Sequence, residues 1–174
     1  MRGCPACGKS FRAKELAEIH QGKIYSADDF WYQINCPEKP EEYSFDGRFL
    51  KDAHQWNRRR VENAVDSGES CIILDNTNIA IADFCCYATY AHLRGYSVTI
   101  EEPTSPWWLE MRKLLSVKEE NEEELKIWAE NLAKINEKTH KVPAKTIEKM
   151  IRRWQNVVDL EQLMTDCQNC HFKN

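Results

Sequence analysis

Eight residues near the start of the chain have the types and the spacing of a loop that binds phosphate. They read Gly3-Cys4-Pro5-Ala6-Cys7-Gly8-Lys9-Ser10 and fit the pattern G-x-x-x-x-G-K-[ST] at every fixed position. The glycines let the backbone curl so that successive N–H groups converge on a phosphate, while the lysine reaches phosphate oxygens and the hydroxyl ligates Mg²⁺. The pattern predicts a nucleotide site formed by all eight residues, with Ser10 as the metal ligand and the following helix pointing its positive end at the phosphates.

The same residues carry a second interpretation, a site for zinc. Cys4, Cys7 and His20 reproduce the spacing of the first three ligands of a Cys₂His₂ finger. A closed zinc site needs four donors, and no histidine follows His20 at the usual distance. The segment Cys167-x-x-Cys170-His171 could join the first cysteine pair, although so long a gap is not a known ligand spacing. A zinc-linked interaction domain that uses these pairs is therefore kept as a third function hypothesis.

Carboxylates directly follow two predicted strands. Asp28 and Asp29 come after a short strand predicted over 23–26, and Asp75 ends the apolar run over 71–74. In an open α/β sheet, ligands bind at the carboxyl ends of the strands, so these side chains are candidates for chemistry. The alternative for the first pair is that Ser26 or Asp28 only caps a helix that begins at Asp29.

An α/β fold is needed to position these residues. Apolar runs rich in β-branched residues predict strands, and segments with helical spacing alternate with them. The predicted strands are 23–26, 71–74 and 96–100. The predicted helices are 11–21, 45–65, 81–93, an acidic stretch at 118–124 followed by 125–136, and 143–154. This alternation predicts a three-layer sandwich with a mostly parallel sheet. Because only Met1 and Arg2 precede the loop, we expect the first strand to be short or truncated.

Two of these helices carry expectations about how their apolar side chains are arranged. In the first helix an apolar face is predicted for Phe11, Leu16 and Ile19. In the 45–65 helix the inward residues are predicted to be Phe49, Ala53, Trp56, Val61 and Val65. The basic triplet Arg58-Arg59-Arg60 is expected to lie on the solvated face of that helix.

Composition limits the classes of function. The chain has 174 residues, a formal net charge of −4 and a sequence pI near 5.8, which argues against non-specific attraction to nucleic acid. It has no run of 18 apolar residues and no signal-peptide pattern, so we expect an intracellular protein, cytoplasmic or nuclear, with no membrane partner. The eight cysteines are then read as reduced, and several of them as small core residues.

The motifs, taken in order, resemble the polynucleotide-kinase-like P-loop kinases of the AAA/zeta-toxin-like ATPase group. The set comprises the phosphate loop, Asp28-Asp29, Phe45-Asp46 with 53–57, 75–78, Pro106-Trp107, and Asn136 ahead of Val142-Pro143. It spans about residues 1–155 and is most similar to a small eukaryotic branch found in, or related to, proteins that bind a HECT-type ubiquitin ligase.

The resemblance implies a P-loop NTPase fold of the nucleoside-kinase-like type and transfer of a phosphoryl group from ATP, with Mg²⁺, to a hydroxyl acceptor. The acceptor would be a nucleic-acid 5′ end or a small molecule, and a protein partner is also implied. The domain would cover 1–155 with a mobile lid at about 134–142, and 156–174 would form a C-terminal helix and a polar tail.

The resemblance also assigns roles to single residues. Lys9 would act on the transferring phosphoryl group, Asp28 would be the general base, and Asp75 would be an acid near the metal and the acceptor. Asp29 and Asn78 would line the acceptor pocket. The lid would contribute positive charge from its lysines, which are Lys134, Lys138 and Lys141.

Departures from the family pattern support a different function. Ala6 stands where the loop usually has glycine, and a positive φ there would cost about 1–2 kcal/mol. Trp31 occupies the place of the acceptor-phosphate arginine of the phage enzyme, and Ile135 replaces the arginine usual before the lid asparagine. A non-catalytic nucleotide-binding module that regulates a partner is therefore the second function hypothesis.

Overall fold

The computed structural model describes residues 1–33 and 43–157, together with residues 163, 165 and 167. Its helices are α1 (Lys9–His20), α2 (Asp29–Gln33), α3 (Leu50–Asp66), α4 (Cys85–His92), α5 (Pro106–Ser116), α6 (Glu122–Asn136) and α7 (Ala144–Arg153). Its strands are β1 (Lys23–Tyr25) and β2 (Ile72–Leu74). Short 3₁₀ turns at Gly47–Phe49, Ile81–Asp83 and Lys118–Glu120 precede α3, α4 and α6.

The two strands form a parallel pair in which Lys23 lies opposite Ile72 and Tyr25 lies opposite Leu74. A parallel pair needs a crossover connection, and α2 and α3 supply it between β1 and β2. The carboxyl ends of both strands therefore lie at the same edge, with Ser26 and Asp75 as the next residues. The predicted α/β class with a parallel sheet is confirmed, although helices form most of the described chain.

Residues 96–100 were predicted to form a strand, and this was wrong for the described structure. The segment is not part of a ladder, although the side chains of Val98 and Ile100 pack against the buried cluster around Phe84. One sheet-like bond joins its end to the start of the chain, where the Arg2 N–H donates to the Glu101 carbonyl at 2.8 Å. A sequence with high β-propensity forms a strand only where an adjacent strand supplies a ladder of backbone hydrogen bonds. Among the described residues, no such ladder is formed with this segment.

The first three residues lie beside the end of β2. The amino group of Met1 donates to the Leu74 carbonyl at 2.8 Å, and the Gly3 N–H donates to the Thr77 carbonyl at 2.9 Å. The side-chain amide of Asn78 donates to the Met1 carbonyl at 2.8 Å. Residues 1–3 thus lie beside the end of β2, although they form no strand in the described structure.

Arg2 fastens this start of the chain to the interior. Its side chain is 2% exposed, and its guanidinium donates to the carbonyls of Ile79 and Gln155 at 2.8 Å and of Asn78 at 3.1 Å. The guanidinium also lies 4.2 Å from the ring of Trp154. Burial lowers the pKa of Arg2 to about 10, so the side chain stays charged at neutral pH.

The largest buried cluster joins the phosphate loop to the C-terminal helices. Trp108 of α5, Leu132 of α6 and Ile147 of α7 pack together there with Cys4 and Cys7 of the loop. A second cluster surrounds Phe84 and includes Leu163 and Cys167, so these two residues beyond 155 contribute to the interior. The proposed boundary between domain and tail stays a prediction.

The side-chain arrangements predicted for two helices are confirmed only in part. In α1 the side chains of Phe11 and Ile19 are 69% and 66% exposed, and Ala13 is the buried residue. Helical spacing identifies an apolar face but does not ensure that another element covers it. In the long helix Ala53, Val61 and Val65 are buried as predicted, with Trp56 half-buried, whereas Phe49 precedes α3 and is 41% exposed.

Candidate active site

The phosphate loop has the backbone geometry that its sequence requires. Gly3 and Gly8 have φ angles of 147° and 96°, and Ala6 has a φ of 59°. Ala6 thus adopts the left-handed conformation, at a cost of about 1–2 kcal/mol relative to a residue without a Cβ. A Cβ atom on Gly3 would lie only 2.6 Å from the Sγ of Cys7, so glycine is required there on grounds of space as well.

Three carbonyl groups of the loop accept hydrogen bonds from side chains. Lys9 Nζ donates to the Cys4 carbonyl at 2.8 Å, Trp107 Nε1 donates to the Ala6 carbonyl at 3.2 Å, and Ser105 Oγ donates to the Cys7 carbonyl at 2.8 Å. The carbonyl and the following N–H of a planar trans peptide point in opposite directions. The Gly8 N–H therefore faces away from Ser105.

The first turn of α1 adds further N–H groups to this side. Gly8 caps the helix without a side-chain hydrogen bond, and the Arg12 N–H is the first to reach a helical partner, the Gly8 carbonyl at 3.1 Å. The amides of Lys9, Ser10 and Phe11 consequently have no partner within the helix. Unpaired amides and the positive end of the helix dipole form a site that attracts an anion such as phosphate.

The loop cysteines are structural rather than reactive. Cys4 and Cys7 are fully buried, and burial raises the pKa of both thiols above the usual value, with the Lys9 charge opposing this. His20, the third donor of the predicted finger, lies exposed at the far end of α1. Within the described part of the chain, no cluster of three metal-ligating side chains is present. The interpretation of Cys4, Cys7 and His20 as a zinc finger was therefore wrong. Cys170 and His171 lie outside the described residues.

Asp75 follows β2 and lies beside the loop. Its backbone N–H donates to the Tyr25 carbonyl at 2.9 Å, which extends the strand pairing by one bond. The side chain is 8% exposed, and its charge acts on both the amino group of Met1 and the thiol of Cys7. Its Oδ1 atom is buried without a hydrogen-bond partner among the described residues.

An unpaired buried carboxylate oxygen is costly, so its presence indicates a partner that the protein itself does not supply. Mg²⁺ prefers oxygen ligands and needs few of them from the protein, because phosphate oxygens and water complete its coordination. The carboxylate of Asp75 and the hydroxyl of Ser10, which is exposed at the start of α1, suit this requirement. These donors fit the metal that the loop pattern implies.

Asp28 lies at the same edge, after β1. The Ser26 Oγ accepts a hydrogen bond from the Asp28 N–H at 3.2 Å, so Ser26 carries out the turn-capping role left open in the sequence. The Asp28 carboxylate faces other groups. Tyr43 Oη donates to Oδ1 at 3.2 Å, and His140 Nε2 lies 4.0 Å from Oδ2. The Asp28 side chain is 47% exposed and therefore remains accessible from solvent.

Asp29 is paired with an arginine that the sequence analysis placed in solvent. Arg60 Nη1 lies 2.9 Å from Asp29 Oδ2, and the guanidinium stacks 4.2 Å from the ring of Trp56. Arg58 and Arg59 are exposed as predicted, but Arg60 is half-buried, so the solvated triplet was wrong at its third position. Trp56 lies one helical turn before Arg60, and this spacing allows the guanidinium to stack on the indole ring. It is the sequence signal from which the inward position of Arg60 could have been predicted.

Two other residues of the predicted acceptor side are buried. Trp31 is 1% exposed and packs edge-on against Phe30 and Phe45, so this position is part of an aromatic core. Asn78 is 4% exposed, with a φ of 47°, and its amide is bound to the Met1 carbonyl. Its role in an acceptor pocket stays a prediction.

The predicted lid begins inside a helix. Lys134 lies in the last turn of α6, and the turn after Asn136 carries Lys138 and Lys141. All three lysines are exposed, and their catalytic role stays a prediction. The same turn brings His140 to Asp28, a contact that the sequence analysis missed because no local pattern links residues so far apart.

The comparisons with known proteins agree on the family. A family model described as an AAA domain matches residues 1–157. The human NEDD4-binding protein 2 is 32% identical over 166 residues, which are 95% of this chain but 8% of that protein. No solved structure matches the chain. Within the part of the chain that the structure describes, no helix has the length and apolar character to cross a membrane.

Proposed function

The chain belongs to the AAA domain family of P-loop kinase-like proteins, and on that premise we propose that it transfers the γ-phosphoryl group of ATP to a hydroxyl acceptor. The observation that carries this proposal is the carboxylate Asp75, with its unpaired buried oxygen, beside a phosphate loop. A second and accessible carboxylate, Asp28, lies at the same sheet edge. Phosphate site, metal donor and base are the parts that phosphoryl transfer requires.

Binding of the donor rests on the loop and on α1. The N–H groups of Gly8, Lys9 and Ser10 would donate to oxygens of the β- and γ-phosphates, because carbonyls on the other side of the loop are already held. Lys9 Nζ would exchange the Cys4 carbonyl for phosphate oxygens. Ser10 and Asp75 would hold Mg²⁺, which when bound neutralises charge on the phosphate oxygens.

The transfer itself needs little covalent chemistry from the protein. Asp28 would accept the proton of the acceptor hydroxyl as the acceptor oxygen forms its bond to the γ-phosphorus. The bond between that phosphorus and the oxygen bridging the β- and γ-phosphates breaks, and ADP leaves with the electron pair. Lys9 would neutralise charge on the transferring group, with help from Lys138 and Lys141 of the 137–141 turn.

The acceptor class is part of the proposal. A polynucleotide 5′-hydroxyl is the acceptor that the family pattern suggests, and a small-molecule alcohol is the alternative. The Arg60 guanidinium at the acceptor edge is already paired with Asp29, so it offers an anionic acceptor only part of its charge. The need for ATP also makes an intracellular location, cytoplasmic or nuclear, part of the proposal.

A non-catalytic nucleotide-binding module is the second candidate. The composition of the predicted lid favours it. The lid lysines are exposed point charges, and no arginine, which could bind phosphate through two hydrogen bonds, lies between Arg112 and Arg152. The name of the human relative states that it binds NEDD4, so a role in which nucleotide regulates a protein partner is proposed under this candidate.

A paired binding and transfer assay tests these candidates. Thermal unfolding is followed with and without ATP and Mg²⁺, and transfer of radiolabelled phosphate to a 5′-hydroxyl oligonucleotide or to glycerol is measured in parallel. Lys9→Ala should abolish the thermal stabilisation, whereas Asp28→Asn should retain it and lose transfer. Stabilisation without transfer to any acceptor would favour the binding module, and equal loss of stabilisation in both variants would refute the division of roles.

A further inference from the structure

Three side chains from distant parts of the sequence meet at the acceptor edge. Tyr43 donates to Asp28 Oδ1 at 3.2 Å, and His140 Nε2 lies 4.0 Å from Asp28 Oδ2. The rings of Tyr43 and His140 are themselves in contact, with centroids 4.7 Å apart and an interplanar angle of 46°. Each oxygen of the carboxylate therefore faces a different partner, and the partners support each other.

The turn that presents His140 is built on one buried residue. Asn136, at the end of α6, is 1% exposed, and its Oδ1 accepts hydrogen bonds from the His140 N–H at 3.0 Å and from Thr139 Oγ1 at 2.9 Å. Its backbone carbonyl accepts from the Lys141 N–H at 3.0 Å, with Lys141 at a φ of 53°. The backbone of His140 is thus fixed from the core, which restricts where its imidazole can lie.

We propose that His140 is a positioning residue of the transfer site, which holds the Asp28 carboxylate together with Tyr43 and thereby ties the 137–141 turn to the base. The catalytic consequence rests on the proposed function, but the contact does not. A carboxylate offers about four lone-pair sites, so two partners orient it and still leave a site for the proton of the acceptor hydroxyl. The turn closes the site when the imidazole moves about 1 Å nearer, into hydrogen-bond range.

The surrounding groups are consistent with this role. Burial, the Asp28 charge and the hydrogen bond to Asp28 all raise the pKa of Tyr43 well above its usual value, so the phenol stays a neutral donor. Burial and the charges of Asp28 and Asp29 also raise the pKa of Tyr32, whose ring packs against Tyr43. Asp29 is paired with Arg60, whereas Asp28 faces the imidazole.

Trypsin provides a test that does not depend on activity. Lys138 and Lys141 are exposed and flank His140, so cleavage after them measures how often the turn opens. We expect His140→Ala to speed this cleavage about two- to five-fold, as for the loss of one exposed contact. Asp28→Ala should do the same from the other side, and the double variant should be no faster than either single one.

Asp66→Ala is the matched control. Asp66 is an exposed carboxylate outside the 137–141 turn, and like Asp28 it has a tyrosine and a basic side chain as partners. It accepts a hydrogen bond from Tyr90 Oη at 2.8 Å and lies 2.6 Å from Arg94 Nε. Its replacement should leave cleavage after Lys138 and Lys141 unchanged. An unchanged cleavage rate in His140→Ala would overturn the proposal. The proposal would also be overturned if the rate increases of His140→Ala and Asp28→Ala multiplied in the double variant.

Kinetics then test the catalytic consequence. The assay uses an acceptor to which the natural chain transfers phosphate. His140→Ala should then lower kcat about 10-fold, which is part of the ~10²–10⁴-fold that a general base contributes. The KM for ATP should be unchanged. His140→Gln, whose amide can donate to the carboxylate, should recover part of this loss. An unchanged kcat in His140→Ala would overturn the positioning role. Absence of transfer in the natural chain would count against the proposed function, while the trypsin result would still decide the contact.

Discussion

The guanidinium of Arg2 lies 4.2 Å from the indole ring of Trp154, so the second residue of the chain is packed against the residue that follows the last turn of α7. The contact connects the phosphate loop, which starts at Gly3, to the C-terminal helices of the main cluster. Stability of the loop therefore depends on a residue that takes no part in phosphate binding.

Arg2→Ala should destabilise the protein by about 2–5 kcal/mol, because it leaves buried carbonyls without their charged donor and opens space beside Trp154. Urea unfolding measures the loss. Arg59→Ala, which removes an exposed arginine, should change the free energy of unfolding by no more than about 0.5 kcal/mol. If Arg2→Ala lowered the free energy of unfolding by less than about 1 kcal/mol, the contacts of Arg2 would not be a stabilising element.

Ala6→Gly should stabilise the protein. The φ of 59° is unfavourable for alanine, and relief of about 1–2 kcal/mol exceeds the entropy that glycine adds to the unfolded chain, about 0.4–1 kcal/mol. We expect a net gain of about 0.5–1 kcal/mol in thermal or urea unfolding. Ala64→Gly, in the middle of α3, is the control and should destabilise. A loss of stability in Ala6→Gly would mean that the loop is not strained at this residue.

Asp75→Asn should have opposite effects with and without nucleotide. Removing the charge from a buried carboxylate with one unpaired oxygen should raise the free energy of unfolding by about 1 kcal/mol in buffer alone. The additional stabilisation that Mg²⁺ gives in the presence of ATP should disappear. Asp29→Asn, which breaks the ion pair with Arg60, should instead lower stability in buffer. If Asp75→Asn kept the full Mg²⁺-dependent shift, Asp75 would not be a metal-site residue.

The free energy of unfolding should rise with pH between about 6 and 8. Burial lowers the pKa of the Met1 amino group from 8.0 to about 6, with the nearby Asp75 charge opposing the shift. Between these values the unfolded chain binds more protons than the folded one, so stability increases as the pH rises. We expect a change of about 1–2 kcal/mol over this range from this group.

An acetylated N-terminus is the control for that pH dependence. Acetylation keeps an N–H donor for the Leu74 carbonyl but removes the charge, so the difference between the two proteins isolates the amino group from the five histidines. Parallel stability curves for the free and the acetylated chain would contradict the burial of a titrating amine at this position.

The parts of the site that could be predicted from sequence are those that local residues determine. The loop conformation, including the positive φ of Ala6, follows from a contiguous motif, and the placement of Asp75 follows from the apolar run before it. The contacts of Arg2, Arg60 and His140 could not be predicted, because their partners lie far along the chain and leave no periodic signal. Strand formation at 96–100 failed for the same reason, since a ladder depends on a neighbour.

The bond between Trp107 and the loop gives the protein a built-in optical probe. The indole donates to the Ala6 carbonyl and is 40% exposed, whereas Trp31, Trp108 and Trp154 are buried. Indole emission depends on solvent contact and on hydrogen bonding at the ring nitrogen, so any rearrangement of the loop changes the fluorescence of this side chain. A ligand that rearranges the loop would therefore be detected by light, without a label, from the tryptophan that is bonded to the loop.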